Sequence, residues 1–478
     1  MGRCVRPRVE GPCVFRRETT VKRLSRRESP QRHSWRLQQL WTSPRAWSVL
    51  FAAVLTVVLP VGTSAAAEPL ESSGPAAQSR PAQAATPLSQ LVKEAEQNNP
   101  QILAARRQWQ AATQVPSQVA TLPDPEVTVQ QMSAGTPLPF DGFQSVEMAY
   151  LGFGVSQSIP YPGKLRLRGE IARRKADTLR QQTEAVRRDI IQRLKSAYFR
   201  LGYIQETLAI LDKDSAMLDQ IEKIAEARYR VGQGNQQDVL KAQLEKTRLL
   251  TDATQYRQQR DSVEAQLKQL LNRPQDSADI TAERLTETPL PFSSDDLLSA
   301  VRTGNPEVGA QQEMVQDRSL QVELARKDFY PDFNVQYMYE HTGPRFPERY
   351  SLSVGVRLPI YRSRRQRPEV AEAAEELNGA RRAYEAQVQQ TYFEVRDQYL
   401  VADSDSKVLK IYREGLIPQA SATFRAGLAA YQSAQEDFQT LLDSFLDVLN
   451  LDVEYWRTLA EHETALARLE QLTGVQIP

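Results

Sequence analysis

The chain has 478 residues, a formal net charge of +1 and only two cysteines. The near-neutral total hides an asymmetry, because residues 1–46 carry twelve Lys or Arg against three Glu, whereas the chain from Glu68 onward has a net charge of −8. A basic N-terminal segment on a mildly acidic body argues against a nucleic-acid-binding protein.

The first 67 residues have the parts of an export signal. The apolar run LFAAVLTVVL (50–59) follows the basic segment, and Ala65 and Ala67 give the small-x-small pattern of a signal-peptidase site. We therefore predict a basic leader and signal peptide over residues 1–67, with cleavage after Ala67; a retained membrane anchor is the alternative. Residues 68–87 are rich in Pro, Ala and Ser and are predicted to form a disordered linker.

The residue types that most often carry catalysis or bind metals are scarce. Both cysteines, Cys4 and Cys13, lie upstream of the apolar run, and of the three histidines only His341 and His462 follow it. After cleavage the chain would have no thiol for a disulfide, a metal site or a nucleophile. We predict a protein that is not an enzyme and has no cofactor and no metal site.

Two halves of the chain, 88–285 and 286–478, repeat one plan. LVKEAEQNNPQI (91–102) matches LLSAVRTGNPEV (297–308), and GVSQSIPY (154–161) matches GVRLPIY (355–361). The matched segments keep their order, so an internal duplication is the economical explanation. The period is far too long for a solenoid.

Each half contains two runs in which apolar and polar residues alternate, as in a strand with one apolar face. The predicted strands are about 125–132, 146–159, 332–341 and 350–361. One interpretation is a soluble sheet packed on a core; the other is a membrane sheet with its apolar face toward lipid. The second predicts these lipid-facing side chains: Leu151, Phe153, Leu352, Val354 and Val356.

The remainder is predicted to be long helices, at about 165–231, 236–272, 366–430 and 436–472. Apolar positions from Ala176 to Leu218, with Ser215 among them, step by three or four residues, which is typical of a coiled-coil seam. The first helix would be about 100 Å long at 1.5 Å per residue. Pro418 should kink the third helix. A dimeric coiled-coil spacer without a pore would explain the seams, but not the strands or the export signal.

Four strands cannot close a barrel, and an open sheet edge cannot face lipid because its amide groups would lack partners. Closure therefore requires several copies: two chains supply eight strands and three supply twelve. The same symmetry would gather the long helices into a hollow bundle. A membrane barrel continuing into a helical tube is a conduit.

The order of these elements, with the segments LPDPEV, SQSIPYPGKLRLRGEIA and RYRVGQGNQQDVLKAQ, resembles the TolC-like outer-membrane factors. The resemblance implies a mixed α/β, mainly α homotrimer with a twelve-stranded barrel in the outer membrane and a periplasmic helical tunnel. It also implies a passive exit duct that works with a periplasmic adaptor and an inner-membrane pump. PYPGKL leans toward the branch serving heavy-metal pumps of the resistance–nodulation–division class. An exported periplasmic scaffold or adaptor without a pore is the alternative, but it should show a lipoyl-like or small β-barrel domain.

The resemblance also assigns a role to the reversals at 231–235 and about 431–436, which match the family's periplasmic tips, where the tunnel closes and the adaptor docks. The matching residues are Tyr229, Gly232, Asp238, Tyr431 and Asp437, with Ala434 where the family usually has glycine. On a three-fold axis each inward aspartate would become a ring of three carboxylates that selects cations. The alternative is that both aspartates merely cap their return helices.

Overall fold

The computed structural model describes residues 85–477. The predicted leader and signal peptide, and most of the predicted linker, lie outside these residues. Within them the chain is mainly helical with one antiparallel sheet, which confirms the predicted fold class. The elements are α1 (Leu88–Asn98), α2 (Pro100–Ala112), α3 (Val115–Ala120), β1 (Glu126–Met132), β2 (Tyr150–Ile159), α4 (Lys164–Arg230), α5 (Gln236–Leu270), α6 (Ser294–Gly304), α7 (Pro306–Lys327), β3 (Asp332–His341), β4 (Arg349–Arg357), α8 (Gln366–Ile411), α9 (Ile417–Gln432) and α10 (Phe438–Thr473).

Two asparagines explain why the NNP and GNP segments recur. Asn99 caps α2 and Asn305 caps α7, and in each case the side-chain oxygen accepts backbone N–H groups of the first turn. Each asparagine also donates its Nδ2 to a carbonyl at the end of a return helix, Asn99 to Leu270 of α5 at 2.8 Å and Asn305 to Leu472 of α10 at 2.9 Å. The Asn-Pro pair therefore starts one helix and secures the end of another in both halves.

Helix α4 spans 67 residues and buries a stripe along its length. The predicted seam residues Ile190, Leu194 and Leu201 are at most 1% exposed. Other seam positions are only half-buried, among them Leu208 and Ser215, and next to Ser215 it is Asp214 that is buried, at 6% exposure. None of the helices described here is long and apolar enough to cross a membrane.

The predicted helix over 366–430 is interrupted by a π-helical segment, Tyr412–Leu416, between α8 and α9. Pro418 follows in the first turn of α9. Proline has no N–H for the carbonyl four residues earlier, and its ring crowds that carbonyl. The wider π turn provides room for the ring without ending the helical path.

The four strands form one sheet in the order β1-β2-β3-β4, with each neighbouring pair antiparallel. One face is apolar, with cross-strand rows such as Val127–Val155–Tyr337–Leu352 and Val129–Phe153–Tyr339–Tyr350. The opposite face carries small and polar residues, as in the row Thr128–Gly154–Met338–Ser351. Strand β2 begins later than predicted, at Tyr150, and β4 ends earlier, at Arg357.

Side chains from distant parts of the chain tie the helices together. His462 of α10 is fully buried, with Nδ1 3.1 Å from the Ala402 carbonyl oxygen of α8 and Nε2 2.9 Å from the Thr288 carbonyl oxygen. Thr288 lies in the segment that precedes α6. One imidazole thus links two helices and the connection between the two halves.

Candidate functional site

The two reversals fold into the same turn. Gly232, after α4, has φ +74°, and its amide donates to the Tyr229 carbonyl at 3.0 Å. Ala434, after α9, has φ +59°, and its amide donates to the Tyr431 carbonyl at 3.2 Å. Ala434 therefore takes the left-handed conformation that the first tip gives to glycine. This conformation costs a residue with a Cβ about 1–2 kcal/mol.

Tyr431 lies at the centre of the contacts between the tips. It is 1% exposed, and its ring lies 5.7 Å from that of Phe438 in an edge-on arrangement. Its hydroxyl donates a long hydrogen bond of 3.4 Å to Asp238 Oδ2 in the first turn of α5. Burial, together with the Asp238 carboxylate, raises the pKa of Tyr431 to about 12. The hydroxyl is therefore a permanent hydrogen-bond donor near neutral pH.

Arg228, which the sequence analysis did not select, joins the first tip to the second. Its guanidinium carbon lies 4.2 Å from the centre of the Tyr431 ring, and Nη1 donates to the Tyr431 carbonyl at 2.6 Å. Nη2 donates to the Gln233 carbonyl of its own tip at 3.0 Å. A second cross-link, Lys241 Nζ to Gln439 Oε1 at 2.7 Å, joins α5 to α10. The internal repeat gives no signal for Arg228, because the corresponding residue of the second tip is Ala430.

The two aspartates have different environments. Asp437 is the N-cap of α10, and its Oδ1 accepts from the Thr440 amide at 2.7 Å. That hydrogen bond lowers the pKa of the Asp437 carboxyl. Asp238 is the third residue of α5, in its first turn, and makes its side-chain contact with Tyr431. Asp437 thus makes an N-cap contact, and Asp238 makes a side-chain contact between the tips.

The remaining predicted tip residues differ from their counterparts in the other half. Tyr229 is 47% exposed, in contrast to the buried Tyr431. Gly232 faces open space, since a Cβ built on it would meet no atom within 4 Å. The first tip therefore presents an exposed tyrosine beside a glycine turn, while the second tip packs its tyrosine inward.

The second candidate surface is the apolar face of the sheet. The structure brings the five predicted strand residues onto that one face: Leu151, Phe153, Leu352, Val354 and Val356. Leu352 and Val354 are 70% and 62% exposed. A contiguous exposed apolar face of this kind marks a surface that contacts lipid or protein. Between residues 85 and 477 no group of three or more His, Cys, Asp or Glu side chains is arranged to hold a metal ion.

Comparisons with known proteins agree with this architecture. VceC of Vibrio cholerae, an outer-membrane protein, matches with a TM-score of 0.70 at 16% identity, over 82% of this chain and 97% of VceC. CusC matches with a TM-score of 0.69 at 16% identity, over 81% and 92%. The open state of the MtrE outer-membrane channel of Neisseria gonorrhoeae matches with 0.67 at 17% identity, over 81% and 88%. No curated protein sequence gives a significant match.

The family model for outer membrane efflux proteins matches residues 91–273 and 297–475, one stretch in each half. The two matches agree with the internal duplication, and they confirm the predicted resemblance. They also confirm the predicted function, an outer-membrane exit duct for efflux, and its location in the outer membrane with a periplasmic helical tunnel. The chain belongs to the outer membrane efflux protein family.

Proposed function

We propose that three copies of the chain close into a twelve-stranded barrel that continues into a tunnel of long helices. The observation that carries this proposal is the four-stranded sheet itself, which has an exposed apolar face and two edge strands, β1 and β4. An edge strand cannot remain in hydrocarbon with unpaired amides, so β4 of one copy pairs with β1 of the next. The resemblance to the TolC-like outer-membrane factors supports three copies.

The two edges suit such pairing. Each alternates apolar and polar side chains, so antiparallel pairing of β4 with β1 continues the apolar face around the barrel. On the other face, Glu126 starts β1 and Arg357 ends β4, and both are exposed at the end of the sheet that leads into the helices. Opposite charges near the same rim favour this pairing over an edge-to-edge contact of two identical strands.

In this assembly the chain acts as a conduit and performs no chemistry of its own. An inner-membrane pump supplies the energy, and a periplasmic adaptor joins the pump to the helical tips. The leaning toward heavy-metal pumps remains a prediction that rests on the PYPGKL segment alone.

The tips gate the inner end of the tunnel. Tyr229, Gly232, Asp238, Tyr431 and Asp437 lie at the two reversals, and Arg228 holds the reversals together. Opening requires the α4–α5 hairpin to separate from the α9–α10 hairpin, which breaks the Arg228 and Asp238 contacts to Tyr431. MtrE, which shares the fold, has an open state. A closed state held by a few hydrogen bonds per copy is biased by a few kcal/mol, which adaptor binding can overcome.

Disulfide cross-linking tests the assembly directly, because the chain has no cysteine from Glu68 onward. The edge-strand pair Thr128→Cys and Ser353→Cys should give cross-linked dimers and trimers in outer-membrane fractions after oxidation. Either cysteine alone is the control and should give none. Failure of the pair to cross-link, with the protein soluble in the periplasm, would favour the scaffold alternative.

A further inference from the structure

A segment rich in arginine follows strand β4. Leu358, Ile360 and Tyr361 come first and are 63%, 72% and 68% exposed. Four exposed arginines follow within six residues, and we call them the basic collar: Arg362, Arg364, Arg365 and Arg367. The segment from 358 to 368 contains no acidic residue.

In the equivalent segment of the first half, one basic residue is buried and paired within the chain. After β2, Lys164 is 2% exposed, and its Nζ lies 3.0 Å from Asp328 Oδ1 and 2.9 Å from Asp332 Oδ1. Tyr161, the counterpart of Tyr361, stacks on Tyr330 with ring centres 4.5 Å apart. Internal contacts therefore hold Lys164 and Tyr161 of this junction, while Arg166 pairs on the surface with Glu170 at 3.2 Å and Arg168 is exposed.

The basic collar has few such partners. Arg365 pairs with Glu369 at 3.0 Å, and Arg362 donates to the Pro359 carbonyl at 3.3 Å. The side chains of Arg364 and Arg367 make no ion pair with any residue that the structure describes. Two guanidinium groups, each able to grip a phosphate with two N–H groups, are thus exposed beside an apolar and aromatic surface.

We propose that the basic collar binds the headgroups of anionic phospholipids in the leaflet that faces the periplasm. This inference rests on the proposed membrane barrel, in which the helix-bearing end of the sheet lies at that leaflet. The chain passes from the apolar strand β4 through Leu358 and Ile360 to Tyr361 and then to arginine. That is the order of hydrocarbon, interface and charged headgroup in a bilayer.

A neighbouring copy is the competing occupant, because β4 is an edge strand. The start of its strand β1 offers two carboxylates, Asp124 and Glu126. These carboxylates lie at the end of the sheet, where Arg357 of β4 can pair with them. The basic collar lies farther along the chain, between the end of β4 and the first turn of α8. The lipid leaflet covers that position on all three copies.

The test uses delipidated trimers of the full chain, mixed in detergent with phosphatidylglycerol or with phosphatidylcholine and examined by native mass spectrometry. Wild type should retain phosphatidylglycerol in preference to phosphatidylcholine. The double variant Arg364→Gln/Arg367→Gln should lose about tenfold in phosphatidylglycerol affinity. Arg381→Gln/Arg382→Gln removes the same charge from exposed positions farther along α8 and should bind like wild type.

Two results would overturn the inference. One is equal retention of the two lipids by wild type, or unchanged selectivity in the collar variant. The other is dissociation of collar-variant trimers, reproduced by Asp124→Asn/Glu126→Gln, which would assign the arginines to the neighbouring copy. Conductance of the same samples in planar bilayers separates the lipid-binding proposal from the proposed barrel. If the protein forms channels but shows no lipid preference, only the lipid-binding proposal is refuted. If it forms no channels, both proposals are refuted.

Discussion

Asp214 places a carboxylate in the apolar seam of α4, where burial makes it destabilising at neutral pH. It is 6% exposed, and its Oδ2 has no hydrogen-bond partner in the described structure. Burial raises the pKa of Asp214 to about 6 against the opposing effect of Lys213, and Asp452 on α10 raises it further. The amide Asp214→Asn keeps the shape of the side chain and removes its charge.

The size of the effect follows from linkage. The ordinary pKa of 3.8 rises to about 6, and each unit corresponds to about 1.4 kcal/mol, so ionisation in the fold costs at most about 3 kcal/mol. The amide must also be buried, and solvent screens part of the charge, so we expect a gain of about 1–2 kcal/mol in the free energy of unfolding. Because the folded pKa is raised, the cost is complete above about pH 6 and disappears as the pH falls toward 3.8.

Guanidinium unfolding of the helices, followed by far-ultraviolet circular dichroism from about pH 7.5 to about pH 4.5, measures this difference. The stabilisation by Asp214→Asn should be largest at the neutral end and shrink on acidification. Asp212→Asn is the matched control, since Asp212 is exposed and its ion pair with Arg257 is long, at 3.9 Å; it should change stability by less than about 1 kcal/mol. A variant that is less stable than wild type, or a gain that does not vary with pH, would refute the reasoning.

Three further predictions concern the sheet, the tips and the core. Val354→Arg should destabilise the barrel by about 2–4 kcal/mol if residue 354 lies near the membrane midplane, and the loss of heat-modifiable trimers would show this. Ser353→Arg, on the opposite face of the sheet, should assemble normally. Normal assembly of Val354→Arg would mean that the lipid-facing and lumen-facing sides of the sheet have been assigned the wrong way round. Ala434→Gly should raise the free energy of unfolding by about 1 kcal/mol, and Gly232→Ala should lower it by the same amount, because both residues have the left-handed backbone conformation. If neither substitution changes the unfolding transition, the turn geometry is contradicted. His462→Ala should cost about 2–4 kcal/mol in chemical unfolding, because it leaves a cavity and removes the imidazole's contacts with the Ala402 and Thr288 carbonyls. An unchanged midpoint would argue against a stabilising role for these contacts.

The sequence contained most of the architecture because its periodic signals were long. Strict alternation in β3 and β4, and the repeated three- and four-residue steps of α4, each extend over many residues, so local exceptions do not erase them. The internal duplication added an independent check, since Asn99 and Asn305 make the same two contacts in the two halves. The family model matches one stretch in each of these halves, 91–273 and 297–475.

The details that sequence reasoning missed depend on contacts between distant residues. Arg228 carries no distinguishing local signal among many helical arginines, and only the fold places it over Tyr431. Asp214 contradicts an apolar seam, and the alternating three- and four-residue steps favour Ser215 at this turn, so only the fold shows that Asp214 is buried. Helices α2 and α3 lack a clear apolar stripe of their own, and Ile102 is the one buried residue of the two.

The most direct test of a gated trimeric duct is single-channel conductance in planar bilayers, measured on wild type, Arg228→Ala and Arg230→Ala. Arg230 is the matched control, because it is two residues farther along α4 and pairs only with Glu226 of its own helix, at 2.8 Å. We expect wild type and Arg230→Ala to give the same small conductance, and Arg228→Ala to give a several-fold larger one, since three copies each lose the contact that joins their tips. Equal conductance in all three proteins would contradict the gate, and failure of wild-type trimers to form channels would contradict the duct.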